Sequence, residues 1–188
     1  MFAEWFEFRI GQNFVNVQQT VAGMPTSASG AQDLYLGAKV ALTEQQQLLP
    51  TIAPIPQMNV PTGGSAVTAG RVLPGLNVDC SWEVDEDFSI ELLVAANRVR
   101  DDARNSHVEV AIGLTGAFQL TPKLEAFIEW DTFYPVGATG PSTGPLSYGV
   151  GGFVYFVTRN FAVDIRAGVG LNERSNDFLA GVGFAVRY

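Results

Sequence analysis

Along most of this chain apolar residues return at every second position, in segments of about nine to eleven residues, and this period restricts the fold more than any other feature. From Leu34 the even positions read Leu34, Leu36, Ala38, Val40 and Leu42, against Asp33, Tyr35, Lys39 and Thr43 at odd ones. The alternation is cleanest at Leu76, Val78, Cys80, Trp82 and Val84 against Asn77, Asp79, Ser81 and Glu83. It continues in Phe88–Val94 against Ser89 and Glu91, and in Val108–Phe118 against His107, Glu109, Thr115 and Gln119. Leu124–Trp130 opposes Glu125, Glu129 and Asp131. Tyr148–Phe156, Phe161–Val169 and Phe178–Tyr188 close the series, with Asp164, Arg166 and Arg187 on their polar side. With Phe2–Ile10, and a segment at Thr51–Val60 that Pro54 and Pro56 interrupt, about ten strands are expected.

Alternation alone does not say which face meets water, so composition enters here. Charged residues make up 16% of the chain, well under the roughly 25% usual in soluble domains. No run of about 18 apolar residues exists, so a membrane could be crossed only by strands. Connections alternate in length. Glu44–Leu49, Asp85–Asp87, Thr121–Lys123 and Thr158–Asn160 are short, whereas Gln18–Gln32, Pro61–Leu73, Arg100–Ser106, Tyr134–Pro145 and Asn172–Asp177 are longer. Short turns at one end and long loops at the other are the pattern of outer-membrane barrels.

Aromatic positions agree, because such barrels carry outward girdles at both interfaces. Trp82, Phe88, Phe118, Phe156, Phe161 and Tyr188 read as one girdle, and Trp130, Tyr148 and Phe178 as the other. Gly37, Gly113, Gly149, Gly151, Gly168, Gly170, Gly181 and Gly183 read as polar-face glycines, which suit the inside of a curved sheet better than a soluble surface. A soluble lipocalin-like binder is the competing reading of the same alternation.

A formal net charge of −8 argues against nucleic acid as a partner. One cysteine, Cys80, and one histidine, His107, give no metal-site pattern, and neither a metal nor a cofactor is expected. The Gly137–Ser147 stretch GATGPSTGPLS leads into no helix and reads as an external loop, not a phosphate cradle. Ser106, His107 and Glu109 invite a lipid-acting hydrolase reading, but a lone histidine beside a loop is more often a solvated polar residue. Glu125, Glu129 and Asp131 form an acidic column, with Glu109 on a neighbouring strand. Lys39, Asp164, Arg166 and Arg187 complete the set expected to line a lumen, where fixed charge sets ion preference or holds a salt-bridge network rigid.

The runs LPGLNVDCSWEV, DIRAGVGLN at Asp164–Asn172, VPTGG at Val60–Gly64 and the ending FLAGVGFAVRY resemble an outer-membrane transporter family associated with meta-pathway phenol degradation. The likeness runs from about Asp33 to Tyr188 and implies an outer-membrane location in a double-membrane bacterium, with small-molecule cargo. Tyr188 also looks like the terminal aromatic that barrel-assembly machinery reads. Met1 leads straight into FAEWFEFRIG without a signal peptide, and the resemblance implies a chain longer at this end. The expectation is therefore one domain over residues 1–188, a fragment lacking its signal peptide and N-terminal strand or strands. As a whole the sequence predicts an all-β, antiparallel transmembrane barrel of about ten strands, with twelve allowed in the intact protein. The expected function is a transporter or pore for small hydrophobic or aromatic molecules, embedded in the lipid bilayer and not an enzyme. A non-conducting structural or adhesion barrel is the alternative.

Overall fold

The computed structural model describes residues 5–21, 24–101, 105–139 and 143–187. Its strands are β1 (Phe6–Gly11), β2 (Phe14–Val21), β3 (Met24–Ala31), β4 (Leu34–Val40), β5 (Thr51–Val60) and β6 (Leu73–Glu83). They continue as β7 (Phe88–Arg100), β8 (Ser106–Thr121), β9 (Leu124–Val136), β10 (Leu146–Thr158), β11 (Phe161–Gly170) and β12 (Phe178–Val186). Ten of them form one antiparallel sheet in the order β1-β4-β5-β6-β7-β8-β9-β10-β11-β12, while β2 and β3 pair only with each other. The ten-stranded sheet matches the number read from the alternation.

The sheet curls strongly. Ten strands spaced about 4.8 Å apart and laid flat would hold their outer edges about 43 Å apart. Yet Arg187, just past β12, places Nη2 3.5 Å from Oε2 of Glu7 on β1.

The registers carry one face around the whole sheet. Glu7 lies opposite Lys39, Asp79 opposite Leu93, Glu91 opposite Thr115, and Thr115 opposite Glu129. Every Asp and Glu within the ten strands falls on this face, which is also the more buried one: Ala53, Ile55, Ala95, Ala111 and Asp79 belong to it. The opposite face is apolar and uncovered along its middle, with Ile128 65%, Ile165 57%, Val182 78% and Phe184 75% exposed, and carries Arg98, Arg100, Thr132 and Ser147 toward the long-loop end. A soluble β-protein buries its apolar face. This one exposes it, so the lipocalin-like reading fails on burial.

Strand β10 departs from the predicted phase. Its register sets Tyr148 opposite Asp131 and Val150 opposite Glu129. Tyr148 and Phe156 thus lie on the inner face, while Gly149 and Gly151 share the outer face with the exposed Phe153, Tyr155 and Val157. The segment is apolar or glycine at nearly every position, so its alternation contained no phase to read.

The proline-bearing β5 is a true strand, and its registers explain why. Its ladder with β4 covers only Leu34–Gly37 against Gln57–Val60, and stops where Pro56 and Pro54 would face Ala38 and Val40. Each proline lacks the donor this ladder needs. Pairing resumes beyond them, where Leu42 N–H donates to Ile52 O at 2.9 Å. On the other side β5 pairs with β6 without a break from Thr51 to Asn59.

The region read as the loop Gln18–Gln32 holds the β2–β3 hairpin. Gln32 N–H donates to Asn13 O at 2.8 Å, so β1–β2 and β3–β4 form one ribbon with a one-residue register change at its waist. The eight residues of β2 continue the ribbon by about 26 Å past the sheet. No Asp, Glu, Lys or Arg occurs between Gln12 and Gln32.

Asp33 clasps the root of this ribbon to the β5–β6 loop. Its carboxylate accepts from Gly63 N–H at 3.0 Å, Thr68 Oγ1 at 2.6 Å and Ala69 N–H at 2.9 Å. Beside it Gly64 N–H donates to Ala31 O and Leu34 N–H to Thr62 Oγ1. Asp33→Ala strands three donors and is expected to cost about 1–3 kcal/mol locally. Limited proteolysis of the folded protein reads this as faster cutting within residues 61–72, and an unchanged cutting rate would show that the clasp does not hold the loop.

Candidate functional site

Seven of the eight residues predicted to line a lumen share the inner face: Lys39, Glu109, Glu125, Glu129, Asp131, Asp164 and Arg166. Arg187 follows β12 and reaches Glu7. The alternation also marked Asp79 and Glu91 as polar-face residues, and both belong with this set. Glu7 and Arg9, at the short N-terminal strand, were not singled out. The signal that would have found them is the Phe6, Phe8, Ile10 alternation around them.

The charges are segregated around the wall. All four inner cations sit on or beside the strands flanking the gap between β1 and β12. Each is engaged: Arg9 Nε with Glu7 Oε1 at 2.7 Å, Lys39 Nζ with Asp79 Oδ2 at 3.1 Å, Arg166 with Asp164 at 3.7 Å, and Arg187 with Glu7 at 3.5 Å. Across from them, β7, β8 and β9 present Glu91, Glu109, Glu125, Glu129 and Asp131, with no ion pair to them among the described residues. One wall is therefore acidic and the other is neutralised by pairing.

A cavity of about 350 Å³ opens on the acidic wall, lined by Ser89, Glu91, Thr115, Glu125, Phe127 and Glu129 among others. Register explains the grouping. Glu91, Thr115 and Glu129 lie in one cross-strand row, and Ser89, Ala117 and Phe127 in the next. Phe127 lies against Gly152 on β10, where an added Cβ would strike the Ile165 carbonyl and the phenyl ring together. Glycine there leaves room for the aromatic ring against the β10 backbone.

Toward the long-loop end the inner face carries an amide cluster. Gln57 Nε2 donates to Asn77 Oδ1 at 3.1 Å and to Asn97 Oδ1 at 2.7 Å, and Asn97 Nδ2 donates to Asn77 Oδ1 at 3.1 Å. The Asn97 amide occupies the space that a Cβ on Gly75 would need. Strands β5, β6 and β7 are thus tied across the inner face by neutral groups, beside the buried Ala53, Ile55 and Ala95.

The hydrolase geometry is not assembled. His107 and Glu109 share the inner face, while Ser106, as the adjacent strand residue, points to the other side and accepts from Arg71 Nη1 at 3.4 Å. A nucleophile and its base must meet in space. The terminal Tyr188 lies outside the described residues.

Comparison with known proteins agrees with this architecture. A family model described as "Putative MetA-pathway of phenol degradation" matches residues 2–188. The chain belongs to that family. Solved structures place the phenol-degradation family member among outer-membrane channels by fold. The NanC porin aligns over 97% of both chains with a TM-score of 0.63 and 10% identity. An outer-membrane channel from Pseudomonas putida F1 aligns over 97% of this chain and 76% of its own, with a TM-score of 0.69 and 16% identity. No curated protein sequence matches the chain. The all-β, antiparallel outer-membrane barrel fold expected from the alternation is the fold these likenesses share.

Proposed function

We propose that this phenol-degradation family member is one barrel domain in the outer membrane of a double-membrane bacterium, where it lets small molecules diffuse past an acidic lumen wall. The observation that carries the reading is the inverted distribution of polarity: every strand carboxylate lies on the inner face, and the outer face is apolar and uncovered. Only a lipid environment makes that arrangement favourable over ten strands. The family's link to phenol degradation supports small aromatic compounds as cargo. Phe127 on the wall offers such a ring a stacking partner beside groups that accept a hydroxyl hydrogen bond. Insertion would depend on the barrel-assembly machinery, with Tyr188 as its terminal signal.

Unpaired carboxylates facing paired cations set an ion preference. Single-channel recording of the protein inserted in a planar bilayer should give discrete steps with cations favoured over anions. Glu129→Gln should lower that preference several-fold without abolishing conductance. An unchanged preference would remove Glu129 from the conducting path. Folded, inserted protein that never conducts would favour a structural barrel instead, a reading for which the buried inner residues Ala53, Ile55 and Ala95 speak.

A further inference from the structure

We infer that Arg71 and Arg98, set around Ser106 on the lipid-facing side of the long-loop rim, bind a phosphate group of an anionic glycolipid in the outer leaflet. Among the described residues the outer face of the ten strands carries two charged groups, Arg98 and Arg100, and both stand at one end of β7. Every strand carboxylate lies on the other face, so none shares this surface with them. In a chain of net charge −8, a local patch of positive sign on an otherwise uncharged face calls for an anion.

The depth of the patch follows from the strand. The outward residues of β7 run Phe88, Ile90, Leu92, Val94 and Ala96 before the arginines. From Phe88 to Arg98 the strand rises about 33 Å, which at a tilt of about 40° is about 25 Å of height. That is the height of the apolar band on an outer-membrane barrel, so Arg98 stands where hydrocarbon ends and headgroups begin. Long loops mark the outer side of such barrels, and the β5–β6 and β7–β8 connections leave the sheet at this end. The headgroups met there belong to the outer leaflet, which in double-membrane bacteria is built from phosphorylated glycolipid.

The β5–β6 loop supplies the second arginine and β8 a hydroxyl. Arg71 Nη1 donates to Ser106 Oγ at 3.4 Å, and Ser106 lies opposite Arg100, with Arg98 about 7 Å down the same face. Arg100 Nη1 donates to the Ala69 carbonyl and so ties the loop to the strand. Gly70, at φ 68°, turns the chain between that carbonyl and Arg71 in a left-handed conformation that a side chain would strain. Arg71 and Arg98 are exposed and have no ion pair among the described residues. The carboxylate next along the chain, Asp101, is turned to Asn105, accepting from its N–H at 2.7 Å and its side-chain amide at 3.3 Å. Guanidinium forks match phosphate oxygens bidentately, and Val94, Ala96 and Val108 offer apolar surface to the acyl chains below.

Native mass spectrometry of the full chain, folded in detergent micelles and titrated with diphosphoryl lipid A, tests the site. Arg71→Gln/Arg98→Gln should weaken lipid A binding about thirtyfold. Lys123→Gln/Arg159→Gln, which removes two cations at the short-turn rim, should leave it unchanged. Lipid A stripped of its phosphates should bind the unaltered protein as weakly as intact lipid A binds the arginine variant, a comparison that holds whether or not that variant folds. Equal binding of the two lipid A forms, or an unchanged affinity in the arginine variant, would overturn the site. Displacement by inorganic phosphate would overturn the glycolipid in favour of a free anion, and equal binding of phosphatidylglycerol would overturn it in favour of unselective lipid contact. The inference rests on the membrane reading, and the two fail separately: protein that shows no heat-modifiable mobility and does not insert in vesicles sinks both, whereas inserted protein indifferent to the phosphates of lipid A sinks only the site.

Discussion

Leu114→Arg is expected to destabilise the folded, inserted protein by about 2–4 kcal/mol, the cost of an arginine on the lipid face near the bilayer midplane. Leu114 lies midway along β8, between Leu92 and Trp130 on its neighbours, and is 47% exposed on the outer face. Trp130 is itself the central residue of β9, because that strand runs on to Val136, and so does not belong to the long-loop girdle expected for it. In a water-soluble protein a leucine so exposed would be replaced by arginine almost without effect, within about 0.5 kcal/mol. The two environments therefore predict results that differ several-fold. Reversible urea unfolding from lipid vesicles, followed by tryptophan fluorescence, measures the difference. Thr115→Arg, one residue on and facing inward, is the control and should be much milder. A near-neutral Leu114→Arg would mean that the apolar face meets water or protein, and the channel reading would fall with it.

The second large effect is expected at the inner ion pair of β4 and β6. Asp79 is 6% exposed, and its carboxylate has Lys39 Nζ at 3.1 Å. Lys39→Met keeps the aliphatic bulk and removes the charge, leaving a buried carboxylate uncompensated, which costs about 3 kcal/mol. Adding Asp79→Leu to it should recover most of the loss, because a buried pair replaced whole is often neutral. The double-mutant cycle in the same urea assay gives the coupling. If Lys39→Met alone shifts stability by less than about 1 kcal/mol, water reaches Asp79 and the pair is a solvated one.

Much of this architecture was legible in the chain because strand alternation is a local property. Where one face is consistently charged, as in Leu76–Val84 or Leu124–Trp130, both the strand and the facing of its carboxylates follow from the pattern. Where both faces are apolar or glycine, as in β10, the strand is visible but its phase is not, and only pairing with β9 resolves it. The β2–β3 hairpin escaped because its small, uncharged residues resemble a loop, and its strand character comes from continuing the β1–β4 ribbon. Pro54 and Pro56 made β5 doubtful, since no local pattern shows that the missing donors fall on the ladder with β4 and leave the one with β6 whole. The acidic column was legible as a column. Its segregation from the cations was not, because that depends on which strands become neighbours across the curl.

The broken ladder at those prolines also has a mechanical meaning. From β5 to β12 the sheet is joined by long registers, while β4 holds β5 through Leu34–Gly37 and a clasp at Leu42. The C-terminal eight strands can thus behave as one cooperative body, with the β1–β4 ribbon joined to it by a short ladder, the Lys39–Asp79 ion pair and the Asp33 clasp. Among the described residues the four-pair ladder between β4 and β5 is the shortest in the ten-stranded sheet, and strands would part there first.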